Sequence, residues 1–109
     1  MALTELNFEF DNVKVSSDLK EWSHTGVVGS GDMEVMMETR DLGGRVQVKV
    51  VTPVRGFDEV WERVIARFAG EYPVGNLYIE INDNNATPFV AYMRLKQAME
   101  EAKKGWEDE

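Results

Sequence analysis

Apolar and polar residues alternate with a period of two in four stretches of the chain. Leu6, Phe8 and Phe10 interleave with Asn7 and Glu9, and Met33, Val35 and Met37 with Glu34 and Glu38. Val46, Val48 and Val50 interleave with Gln47 and Lys49, and Leu77, Ile79 and Ile81 follow the same rule. Each pattern is that of a strand with one buried and one solvated face. Glu34 and Glu38 fall on the solvated side. A shorter strand is expected over residues 25–28. Two other stretches repeat near 3.6 residues. Phe57, Val60, Trp61, Val64, Ile65 and Phe68 make the apolar stripe of a helix, opened by Gly56 and the acidic pair Asp58 and Glu59 and stopped at Gly70. Ala91, Leu95, Ala98, Met99 and Ala102 make a second stripe, to about residue 104, with Thr87 as N-cap and Pro88 at the first helical position.

The connections complete the picture. Asp41-Leu42-Gly43-Gly44 has the chemistry of a hairpin bend between two strands, and Asp83-Asn84-Asn85 that of a turn. Residues 11–23 carry no period and read as a loop. The long elements follow the order β-β-β-α-β-α. Half-polar strands leave one sheet face to solvent, so both helices are expected on the other. The fold class is α+β, a two-layer sandwich with a mainly antiparallel sheet, and residues 1–109 form one domain.

The length of 109 residues and 43% apolar content suit a single core. Twelve basic against twenty acidic residues leave a net charge of −8, which argues against nucleic acid and anionic lipid as partners. Part of that excess lies in Glu107-Asp108-Glu109. The chain has no cysteine, so no disulfide framework, thiolate metal site or thiol chemistry of its own. The lone His24 and the Asp83 turn make a poor metal site, and no metal is expected. No apolar run reaches the length of a membrane span, and the first residues lack a signal-peptide pattern; a cytoplasmic location is expected. Met33, Met36, Met37, Met93 and Met99 read as core filler, with Met36 a candidate for exposure. Trp22 and Trp106 belong to no stacking motif.

The chemistry gathers at Val27-Val28-Gly29-Ser30-Gly31-Asp32. Val28 occupies the position that a nucleophile elbow gives to glycine, and His24 is the only histidine available to a Ser-His-acid triad. Gly31 leads into an acidic residue and a strand, whereas a phosphate-binding loop needs lysine and a helix. Asp32 would itself repel a neighbouring phosphate. What remains is a serine between glycines, presented without a base or pocket. It suits either a substrate for covalent modification or a plain bend in an interaction module.

Gly26-Val27-Val28-Gly29-Ser30-Gly31-Asp32-Met33-Glu34-Val35 resembles the attachment motif of the acyl carrier (delta) subunit family of malonate decarboxylase. Ile81-Asn82-Asp83-Asn84-Asn85-Ala86-Thr87-Pro88 is similar to that family's second motif, and Arg94-Leu95, Gln97 and Glu100-Glu101 continue the likeness over about the whole chain. Asn85 departs from the family's usual glycine, a mild change because asparagine tolerates αL. Phe89 stands where a small residue is usual. The resemblance implies a non-catalytic carrier. Its Ser30, flanked by Gly29, Gly31 and Asp32, bears a 2′-(5″-phosphoribosyl)-3′-dephospho-CoA prosthetic group through a phosphodiester. The arm's thiol carries acetyl and malonyl thioesters while malonate becomes acetate and CO2. The implied partners are the acyl transferase and decarboxylase subunits and a prosthetic-group transferase, with Asp83, Thr87 and Pro88 as partner contacts. The citrate lyase acyl carrier shares a similar turn, and a cofactor-free adaptor is the alternative of another class.

Overall fold

The computed structural model describes residues 3–11 and 19–103. Five strands and two helices follow one another as β1 (Thr4–Asp11), β2 (Trp22–Gly26), β3 (Asp32–Thr39), β4 (Arg45–Thr52), α1 (Asp58–Glu71), β5 (Leu77–Asn84) and α2 (Pro88–Ala102). The strands form one sheet in the order β1-β4-β5-β3-β2, antiparallel except where β4 and β5 run parallel.

Alternation decides which side chains meet the helices. Met33, Val35 and Met37 of β3, Val46, Val48 and Val50 of β4 and Leu77, Ile79 and Ile81 of β5 are all buried. They pack with Trp61, Ile65 and Phe68 of α1 and Ala91, Leu95, Ala98 and Met99 of α2 into one cluster. Both helices therefore cover one face, and the α+β sandwich expected from the periodicity is the observed architecture. α1 lies toward β1, whereas α2 crosses β2 and β3.

Several local expectations need correction. The element order has a fourth strand before the first helix, because the short strand covers Trp22–Gly26 instead of residues 25–28. Its buried residues are Ser23 and Thr25, so it shows no apolar alternation. Residues 11–23 are accordingly not all loop: Leu19 is buried, forms a bridge with Lys103, and is followed by a Lys20 N–H bond to the Ala102 carbonyl. The bend at residues 41–44 does not close a hairpin. β5 lies between β3 and β4, and Asn76 fills the gap at its start: its Oδ1 accepts from the Leu42 and Gly44 N–H groups at 3.0 and 2.7 Å. Gly70 does not stop α1, which runs on to Glu71 with Tyr72 as C-cap. β5 extends through Asp83, so that residue belongs to a strand and not to a turn. Met93 is exposed on α2, not core, and Met36 is half-buried. Residues 12–18 of the expected loop, the expected end of α2 at 104, Trp106 and the acidic tail at 107–109 lie outside the described residues.

Candidate functional site

Ser30 sits in the loop of the hairpin formed by β2 and β3. β2 and β3 pair with Gly26 opposite Glu34, and residues 27–31 connect them. Gly26 has φ of +85°, and a Cβ there would lie 2.5 Å from the Met33 carbonyl oxygen, so the strand can turn only with glycine at that point. The Asp32 N–H bonds the Gly29 carbonyl at 3.0 Å, closing a four-residue turn. Gly31, its third residue, has φ of +74°, as a type II turn requires. The Gly31 N–H then reaches the Asn84 carbonyl at 2.8 Å and ties the loop to the end of β5. Gly29 has neither a positive φ nor close neighbours; a Cβ there would meet only Val27, at 3.9 Å. Space above the backbone on that side of Ser30 is open.

Ser30 itself is exposed, and among the described residues no side chain hydrogen-bonds its hydroxyl. His24 is engaged elsewhere: its Nε2 lies 2.9 Å from Glu34 Oε2. The structure thus does not bring His24 to the serine as a base.

Asp32 is matched by a residue far along the chain. Arg94, on α2, forks onto its carboxylate, with Nε to Oδ1 at 2.8 Å and Nη2 to Oδ2 at 2.6 Å. The Met33 N–H donates to the same Oδ1 at 2.7 Å. The Arg94 hydrogen bonds, followed by that of Met33, pull the Asp32 carboxyl down to about 2. The repulsion expected between Asp32 and a phosphate on Ser30 is therefore offset by a guanidinium. The sequence names Arg94 only as part of the family likeness and gives no sign of this pairing, because its partner is 62 residues away.

Ser30, Gly31 and Asp32 line one side of an open groove of about 630 Å³, and Phe89, Val90, Met93, Arg94 and Gln97 line the other. Thr87 and Pro88 stand beside it. Thr87 caps α2 as expected, its Oγ1 accepting from the Val90 N–H at 3.2 Å, and Pro88 opens the helix; both are exposed. Asn85 takes the left-handed conformation, φ +67°. Asp83 does not join them at the surface. It is buried, and its carboxylate accepts from Thr52 Oγ1 at 2.8 Å and from the Asn85 and Ala86 N–H groups at 3.1 and 3.0 Å. Asp83 braces the turn into α2 and is inaccessible as a contact. Behind that turn lies a separate cleft of about 260 Å³, bordered by Phe57, Trp61, Thr87 and Ala91 among others.

These residues fit a group bonded to Ser30 through phosphate: a free hydroxyl, a neutralised carboxylate and an adjoining groove. Comparison with known proteins identifies the family. Residues 20–102 match the family described as malonate decarboxylase delta subunit (MdcD). The chain is 52% identical over 101 residues to the malonate decarboxylase acyl carrier protein of Malonomonas rubra, covering 93% of this chain and 90% of that one. It is 38% identical to the protein of the same name from Xanthomonas campestris pv. campestris, covering 87% and 90%. Its fold matches a chain in the crystal structure of a Pseudomonas malonate decarboxylase hetero-tetramer in complex with malonate, with a TM-score of 0.78 and 33% identity over 91% of this chain and 98% of the other. On its sequence and on its fold, this chain belongs to the malonate decarboxylase delta subunit family.

Proposed function

We propose that this protein is the acyl carrier subunit of a malonate decarboxylase, and that Ser30 carries a phosphoribosyl-dephospho-CoA group in phosphodiester linkage. The observation that carries this reading is the exposed, unbonded Ser30 hydroxyl beside the Asp32–Arg94 pair. The names of the relatives favour the malonate system over the citrate lyase type. When attached, the group supplies the thiol that the cysteine-free chain lacks.

The chain's own part is presentation and delivery. Gly31 holds the turn that lifts Ser30 clear of the sheet, Gly29 leaves room for a modifying enzyme, and Arg94 removes the charge conflict at Asp32. Tethering raises the effective concentration of the carried group at each partner's active site. Acyl transferase and decarboxylase subunits are the partners in this reading, with exposed Thr87 and Pro88 among the docking contacts.

Protein produced together with the cofactor-synthesis and transfer enzymes should gain one such group, found on Ser30 by peptide mapping. Ser30→Ala should fold with unchanged stability, because an exposed turn side chain packs against nothing, and should stay unloaded. Loading elsewhere, or full malonate decarboxylation with Ser30→Ala as the only carrier, would sink the assignment.

A further inference from the structure

We infer that the groove between the Ser30 turn and α2 is a seat for the adenosine portion of the attached group, with Phe89 and Met93 as its apolar platform and Arg94 and Gln97 as its polar edge. This inference rests on the carrier reading above.

Three observations converge on it. Phe89 and Met93 are 72% and 47% exposed, large apolar side chains left uncovered on a helix whose other face is core. They are four residues apart and followed by Gln97 at the same interval, so the three form one stripe along α2. Ser30 forms the opposite rim of the same groove, so anything bonded to its hydroxyl starts at the edge of that stripe.

The chemistry of the group selects which part lies there. A 2′-(5″-phosphoribosyl) linkage places two sugars and one phosphate between the serine oxygen and the adenine, whereas the thiol lies at the far end of the pantetheine. The stripe from residue 89 to residue 97 is about 12 Å long at a helical rise of 1.5 Å per residue. The base is the first ring system after the sugars and so meets the stripe before the pantetheine does. A purine stacks on aromatic and thioether surface. Arg94 uses three of a guanidinium's five N–H donors, two on Asp32 and one on Gln97 Oε1 at 2.7 Å, and keeps two for phosphate or sugar oxygens. Seating the nucleotide would orient the tether while the pantetheine end remains free to reach partners.

The test uses loaded protein, with single occupancy at Ser30 established by intact mass and peptide mapping. The Met93 methyl resonance should shift on loading and show nuclear Overhauser contacts to adenine H2 or H8. Phe89→Ala, at an exposed position that leaves the fold intact, should load equally on Ser30 yet lose the Met93–adenine contacts. A fully loaded protein whose Met93 resonance does not move, and which shows no adenine contacts, overturns the seat and leaves the carrier reading standing. Met93–adenine contacts that persist unchanged in Phe89→Ala overturn it as well. Failure of Ser30 to accept the group overturns the carrier reading and the seat together.

Discussion

The Asp32–Arg94 pair is the smallest unit on which the proposed chemistry depends. The hydrogen bonds from Arg94 hold the Asp32 carboxyl at about 2, below its ordinary 3.8. A depressed carboxyl contributes stability that is present above its unfolded value and is lost as pH falls through its folded value. The pair should therefore remain intact at neutral pH and come apart between about pH 4 and pH 2. Carbon-13 titration of the Asp32 carboxyl should report a midpoint near 2. Arg94→Met should move it up toward 3.8. A midpoint already at the ordinary value in the parent protein would show that the fork does not form in solution. At this scale, legibility in the sequence follows separation along the chain. The Thr87 cap is a bond to a residue three positions on and is written in the local sequence. The Arg94 fork spans 62 residues and is visible only once β3 and α2 are side by side. Asp83 misleads for another reason. Asp-Asn-Asn is turn chemistry, yet burial beside Thr52 converts the aspartate into an internal brace.

Elements with a continuous apolar stripe were readable, and those held by polar or long-range contacts were not. α1 shows both sides. Its stripe predicts Phe57, Val60, Trp61, Val64, Ile65 and Phe68 as core; Trp61, Ile65 and Phe68 are buried and Val60 and Val64 half-buried, but Phe57 is exposed as the N-cap, and Gly70 is read as a stop where the helix continues for one more residue. β2 escapes a periodicity argument because Ser23 and Thr25 face inward, with the Thr25 hydroxyl donating to the Glu101 carboxylate on α2. The bend at residues 41–44 looks like a hairpin because nothing local reveals that β5 inserts there and that Asn76 bonds its backbone. The helix layer also gives a quantitative expectation. Trp61 is 6% exposed in the first turn of α1, and large aromatic-to-alanine changes in cores cost about 3–5 kcal/mol. Trp61 already borders a cleft of about 260 Å³ that opens to solvent, so part of the space left behind can fill with water. Trp61→Ala should thus fall near the lower end, about 3 kcal/mol, in denaturant unfolding. A loss under about 1 kcal/mol would mean that α1 is not packed on the sheet through this residue.

Over the whole molecule, strand order sets a gradient of stability that runs from the sheet centre to the serine. β5 is paired on both sides, with β4 and β3, and its Leu77, Ile79 and Ile81 are buried under both helices' core. β2 is an edge strand of five residues with a single strand partner, and the loop that carries Ser30 extends from it. Amide protection follows this kind of burial and pairing: central strands exchange through global unfolding, while edges and loops open locally at far smaller cost. The amides of Ile79 and Ile81 should therefore exchange slowest in native-state hydrogen exchange, and those of residues 27–30 fastest. Gly31 should lie between, because its N–H is bonded to the Asn84 carbonyl at the end of the most stable strand. Equal protection in β5 and in the serine loop would contradict the gradient. The functional consequence is a division of labour. In the carrier reading, a modifying enzyme would engage Ser30 by deforming only the loop before it, while the Gly31–Asn84 bond and the Asp32–Arg94 fork fix the position after it on the rigid frame. In that reading, a group bonded to Ser30 would start from a point anchored to β5 and α2, and its reach would be set by its own tether and not by wandering of the loop.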